Sequence, residues 1–139
     1  MITLIENDIT VDEYLYLRAM VGWPVLDKGQ AELAIKNSLH IVKACNDKGN
    51  LIGMGRVVGD GAVICYVQDL IVIPEAQGKG LGSLIINNLK NYVMSLKKEG
   101  STMMLCLMCA KGREQFYEKH GFIARPNEKL GPGMIQYLV

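Results

Sequence analysis

Asp69-Leu70-Ile71-Val72-Ile73-Pro74-Glu75-Ala76-Gln77-Gly78-Lys79-Gly80-Leu81-Gly82 runs from an apolar stretch through a proline into a cluster of glycines. Up to Ile73 it reads as a strand. Beyond Pro74 the period changes: Leu81, Leu84, Ile85, Leu89, Tyr92, Val93 and Leu96 recur every three or four positions, which marks a helix with one buried stripe. Lys97, Lys98 and Gly100 suit its C-terminus. A strand that enters a helix through a glycine turn gathers main-chain N–H groups around one concavity, with the positive end of the helix dipole behind them. That arrangement is an anion site, in which the Gln77 to Gly82 amides would hold a pyrophosphate and Lys79 would add a point charge. The same glycines also suit close packing of helix on strand, and by themselves they do not separate the two uses.

Working outward, Met1 to Ile5 reads as a first strand and Thr10 to Met20 as an amphipathic helix, acidic early and apolar at Tyr14, Leu15, Leu17 and Met20. Gly22-Trp23-Pro24 ends it. A second helix is expected from Lys28 to Ser38, with Leu33 and Ile35 apolar. Leu39 to Cys45 and Leu51 to Val58 flank Asn46-Asp47-Lys48-Gly49-Asn50, a turn composition, and should form an antiparallel hairpin. Ala62 to Ile73 extends it to a meander. After the long helix, Met103 to Cys109 reads as a buried strand parallel to Ala62–Ile73, because a crossover helix joins them. Arg113 to His120 should be a short helix, and Phe122 onward a final strand or two, broken by Gly131-Pro132-Gly133. The expected fold is a mixed α/β sheet, mainly antiparallel, flanked by helices in one domain, 1–139.

Composition narrows the function classes. Of the 139 residues 50% are hydrophobic and 21% charged, with a net charge of +1, so no basic footprint for nucleic acid is present. The N-terminus lacks a secretory pattern and no run approaches the ~18 apolar residues of a membrane span, so neither a membrane nor export is expected and the protein should be cytoplasmic. Cys106-Leu-Met-Cys109 has a C-x-x-C spacing, but it lies in an apolar strand where residues three apart point to opposite faces. Neither His40 nor His120 stands at a ligand spacing from the cysteines Cys45, Cys65, Cys106 and Cys109. No metal is expected, and the thiols read as buried and reduced.

The glycine loop matches neither G-x-x-x-x-G-K-[ST] nor the dinucleotide fingerprint, since Ser83 stands where the latter needs glycine and antiparallel strands precede it. It does resemble motif A of the Gcn5-related N-acetyltransferases, the GNAT family, written Q/R-x-x-G-x-G/A. Here that motif is Gln77-Gly78-Lys79-Gly80-Leu81-Gly82. Asp69-Leu70-x-Val72-x-Pro74-Glu75 is similar to the family's fourth strand, and Phe116-Tyr117-Glu118-Lys119-His120-Gly121-Phe122 resembles its F-Y-x-x-x-G-F motif. Two motifs in order at fitting spacing are far more specific than either alone.

The resemblance implies an acetyl-CoA-dependent N-acetyltransferase with one parallel strand pair splayed apart. Pantetheine would lie along the main chain of Leu70, Ile71 and Val72, and the pyrophosphate on the loop formed by Gln77, Gly78, Lys79, Gly80, Leu81 and Gly82, with Ser83 at its far side. Arg113, Phe116, Tyr117 and Lys119 would flank the acyl donor. Tyr117 is implied as the proton donor to the departing thiolate, since a phenol with a pKa of about 10 stays protonated beside a thiol of about 8.5. Asp69 is a second catalytic candidate, as a base, with a structural acceptor role equally open. By strand alternation Tyr66, Gln68, Leu70 and Val72 share one face and Asp69 the other. In the similar glucosamine-phosphate acetyltransferases a glutamate stands at the position of Gln68 and an asparagine at that of Arg113, and both departures argue against a sugar-phosphate acceptor. Gln68 and Trp23 are the candidate substrate contacts, Trp23 also suiting a core role. The acceptor is expected to be a small-molecule or peptide amine, and a homodimer is compatible with this reading. A non-catalytic acyl-CoA-binding or interaction module on the same fold is the alternative.

Overall fold

The computed structural model describes residues 1–139. They group into two compact units, Met1–Leu107 and Met108–Val139. The first holds β1 (Thr3–Glu6), α1 (Val11–Met20), α2 (Lys28–Lys36), β2 (His40–Cys45), β3 (Leu51–Gly59), β4 (Ile64–Val72), a 3-10 turn at Pro74–Ala76, α3 (Leu81–Leu96) and β5 (Met104–Leu107). The five strands form one sheet in sequence order, antiparallel from β1 to β4 and parallel between β4 and β5.

Local chemistry accounts for the elements. Thr10 caps α1 with a reciprocal box, its hydroxyl accepting from the Glu13 amide at 3.1 Å while the Glu13 carboxylate accepts from the Thr10 amide at 2.9 Å. Asp27 caps α2 by accepting from the Gln30 amide. Between β3 and β4 the Asp60 carboxylate accepts three amides, from Ala62, Val63 and Ile64, which holds its carboxyl below the usual range and closes the turn.

The sheet is covered on two faces. Tyr14 and Leu17 of α1 are buried on one, while Leu81, Ile85, Ile86, Leu89 and Val93 of α3 are buried on the other. Gly53 and Gly55 let α3 sit directly on β3. A Cβ on Gly53 would stand 2.7 Å from the Ile71 carbonyl oxygen and 3.2 Å from side-chain carbons of Ile85 and Leu81. On Gly55 it would meet Ile85 Cγ2 at 2.6 Å. In α2 the buried contact is Ala31, and Leu33 lies exposed on the opposite side.

In the second unit α4 (Glu114–Lys119) is the only regular element, and the strand expected after Phe122 does not form. Its residues are held by local bonds instead. Asn127 Oδ1 accepts the amides of Lys129 and Leu130, the Asn127 amide donates to the Leu130 carbonyl, and Arg125 Nε donates to the Gly131 carbonyl at 2.6 Å. A chain turned this way, with prolines at 126 and 132 removing donors, has no continuous ladder to offer. The thiols also differ from expectation: Cys65 is buried, Cys45 and Cys106 are half-buried, and Cys109, beyond the end of β5, is exposed.

Gly53→Ala is expected to lower stability by about 1–3 kcal/mol, the range for overpacking against a rigid neighbour, because the nearest atom is backbone and has little room to yield. Urea unfolding should show a lower midpoint with an unchanged m value.

Candidate active site

The site begins with one extra residue. Arg56 pairs with Asp69 and Val57 with Val67, so a single step along β3 spans two along β4 and Gln68 is left as a bulge. Paired residues share a face. Asp69 therefore lies with Arg56 on the α1 face, and Ile71 opposite Met54 lies there too. Leu70 and Val72, opposite Gly55 and Gly53, lie on the α3 face. Beyond the bulge the sides exchange. Tyr66, opposite Val58, falls on the Asp69 face, contrary to the alternation expected from sequence, because the inserted Gln68 shifts the period by one.

The bulge is also where the parallel ladder stops. β4 pairs with β5 from Ile64↔Met104 to Val67↔Leu107, and the edge of β4 from Gln68 to Val72 carries no strand partner on that side. An open edge of this kind accepts an extended ligand as an added strand. At its end the Gln77 side chain donates to the Val72 carbonyl at 3.0 Å, tying the loop back to the strand.

Gly78 and Gly80 take left-handed φ of 77° and 85°, with nothing within 4 Å of the space a Cβ would fill at either. Gly80 is the N-cap of α3 and supplies no side-chain cap. The first amides of α3 thus open into a concavity at the positive end of a 16-residue helix. Lys79 is exposed between the two glycines, Gly82 and Ser83 are half-buried, and Leu81 is 1% exposed, so its side chain serves the core and only its main chain can face a ligand. Ile71 is likewise a core side chain. Beside the loop a groove of about 720 Å³ is lined by Tyr16, Met20, Asn46, Ile73, Glu75 and Lys79 among others. Its charged residues, one of each sign, are exposed, so it gives shape without a fixed polar anchor.

Asp69 is 1% exposed and built into a buried cluster. Its Oδ2 accepts from Arg56 Nε at 2.7 Å and from the Tyr14 hydroxyl at 2.8 Å. Arg56 also donates to the Ser38 hydroxyl at 3.2 Å and to the Ala34 carbonyl at 3.5 Å, linking α2 and the connection after it to the sheet. Burial, reinforced by the Asp69 carboxylate, pushes the Tyr14 phenol above its ordinary value and keeps it a donor. Trp23 is half-buried, with the Arg18 guanidinium 5.4 Å from its ring centroid, so it lies against a cation and outside the apolar core. Tyr14 read in the sequence only as an apolar helix position, and neither Arg18 nor Arg56 stood out. The signal that could have found the pair is one charge of each sign inside two neighbouring apolar strands.

In the second unit, Arg113 is the N-cap of α4 and Lys119 ends it, both exposed. Phe116 and Tyr117 are half-buried, their rings edge-on at 5.0 Å, and Phe122 packs edge-on to Tyr117 at 5.8 Å. Burial, with a further push from Cys109, holds the Tyr117 phenol above its ordinary value.

A strand edge left open at a bulge runs here into a glycine turn at a helix start. Among known proteins the match is specific. A family model for the acetyltransferase (GNAT) domain covers residues 37–124, well over half of the chain, and the chain belongs to that family of acetyltransferases. It is 27% identical over 129 residues to an uncharacterized N-acetyltransferase, ycf52, of Pyropia yezoensis, spanning 91% of this chain and 72% of that one. It is 30% identical over 130 residues to the histone acetyltransferase TAP1 of Glycine max, where it spans 86% of this chain and about half, 54%, of the relative. Among solved structures it is similar to a probable acetyltransferase from methicillin-resistant Staphylococcus aureus, with a TM-score of 0.84, 30% identity and coverage of 99% and 100% of the two chains. No helix is long and apolar enough to cross a membrane.

Removing the charge of Asp69 strands a buried guanidinium, so Asp69→Asn should cost about 3–5 kcal/mol, the range for breaking a buried pair. Tyr14→Phe, which removes one neutral donor, should cost less, about 1–3 kcal/mol. Denaturant titration of both variants beside the parent ranks the two losses.

Proposed function

We propose that this chain is an N-acetyltransferase that takes the acetyl group from acetyl-CoA and delivers it to a primary amine of a small molecule or peptide by direct attack. The observation that carries the reading is the continuity of the open β4 edge with the Gly78–Gly80 cradle. Main-chain groups of Leu70, Ile71 and Val72 would bond the amides of pantetheine, and the loop from Gln77 to Ser83 would hold the pyrophosphate. The two compact units act in this reading as one acetyltransferase domain, working in the cytoplasm.

Transfer needs an unprotonated amine, a polarised thioester and a proton for the thiolate. Tyr117 is proposed for the proton. Its raised pKa keeps the phenol protonated through neutral pH. Arg113, Phe116 and Lys119 would flank the donor from the same helix. Asp69 is reassigned from base to anchor, because both donors that reach it are buried and its carboxylate holds Arg56 in place. Gln68 cannot take a proton, so the amine loses its proton to water before attack.

Acetyl-CoA should raise the melting temperature. Gly80→Val forces a β-branched residue into a left-handed backbone at a strain of roughly 1–2 kcal/mol, with no atom in the way of the side chain, and should remove most of that shift while the protein still folds. An unchanged shift would move the phosphate site elsewhere. Tyr117→Phe should lower kcat by about 10²- to 10⁴-fold, the range of general acid catalysis, with acetyl-CoA affinity retained. Full turnover by the variant would leave thiolate departure to solvent.

A further inference from the structure

The buried cluster on the α1 face holds more positive charge than it neutralises. Arg56 and Arg18 both reach it, with side chains only 8% and 13% exposed, and one carboxylate, Asp69, serves both. The division is unequal. Arg56 takes Asp69 Oδ2 at 2.7 Å, whereas the nearest approach of Arg18 is Nη1 to Oδ1 at 3.9 Å, too long for a hydrogen bond. Arg18 Nη2 donates to the Pro24 carbonyl at 3.0 Å, but its Nε is buried with no partner, and so is Asp69 Oδ1. The guanidinium is otherwise held by ring faces, 5.8 Å from the Tyr14 centroid and 5.4 Å from that of Trp23. A largely desolvated cation with one donor unmet and its ion pair long is costly unless something negative completes it.

Its position gives that something a role. Asp69 is adjacent to the Gln68 bulge, where the β4 edge opens, and Arg18 and Trp23 lie on the same face as Asp69. We propose that Arg18, walled by Trp23, binds a carboxylate carried by the acceptor, so that the amines acetylated are amino-acid-like and not polycationic. This rests on the acetyltransferase reading above, which puts the acyl group at the open edge. The planar fork of arginine suits a carboxylate, and an aromatic face beside the cation suits an apolar neighbour to that carboxylate.

The test compares glycine, L-leucine and L-phenylalanine with their carboxamides as acceptors, beside spermidine and a lysine peptide, by release of CoA thiol. The free carboxylates should be preferred over the amides on the order of ten- to a hundred-fold in kcat/KM, as expected for a charge-assisted bond. Arg18→Gln should collapse that ratio towards one, and Arg18→Lys should restore part of it. Acetyl-CoA titration of each variant checks that the fold survives. Independently of turnover, titration of the unaltered protein with N-acetyl-L-leucine should show tighter binding than with its carboxamide. Equal use of carboxylates and amides, preference for spermidine or the peptide, or equal binding of the two acetylated probes would overturn the proposal while leaving the acetyltransferase reading intact. Failure of acetyl-CoA to bind would instead remove the reading on which it rests.

Discussion

Gln68 is one residue more than the ladder between β3 and β4 can pair, and much of the site follows from that mismatch. In an unbroken strand Asp69 would share a face with Val67, which lies opposite Val57 on the α3 side. The carboxylate would then be pressed towards Ile85 and Leu89, where its desolvation would go unanswered. The bulge turns it instead to Arg56 and Tyr14. The same irregularity coincides with the last rung of the parallel pairing, Val67↔Leu107, so the strand that gains a buried anion also gains an open edge. Buried anion and open edge meet at a single insertion.

A second constraint is the seat of α3. Two glycines of β3 remove the side chains that would hold the helix off the sheet, and Leu81, Ile85 and Leu89 fill the space. The approach matters because it fixes where the helix begins. With Leu81 locked in the core, Gly80 must turn left-handed immediately before it, and the amides that follow face outward. The glycine turn is thus set by apolar packing on the other side of the same helical turn, and Gln77 secures its other end to Val72.

The buried charges on the α1 face act differently from the apolar contacts. An isolated pair such as Arg56–Asp69 contributes little net stability once desolvation is counted, but it penalises any arrangement that separates its members. Here it ties α1 through Tyr14, α2 through Ala34, and the segment before β2 through Ser38 to the centre of the sheet. The cluster therefore specifies how the helices sit over the bulge, and Arg18 is the member whose Nε is left buried without a hydrogen-bond partner.

Periodicity and turn chemistry along the chain determined the order and type of every element up to α4, because each depends on residues a few positions apart. The strand that turns into a helix through Gln77-Gly78-Lys79-Gly80 was legible for the same reason, as was the resemblance carried by Phe116-Tyr117 and Gly121-Phe122. The absence of a ladder after Phe122 was not, since strand formation needs a partner edge that composition does not reveal. The faces of Tyr66 and Asp69 were not legible either. A bulge is defined by the register of one strand against another, and no local pattern in Tyr66-Val67-Gln68-Asp69 announces it. The partners of Asp69 were decided in the same way: Tyr14 and Arg56 are 55 and 13 residues distant in sequence and are brought into hydrogen-bonding reach only by the folded sheet and the helix laid across it.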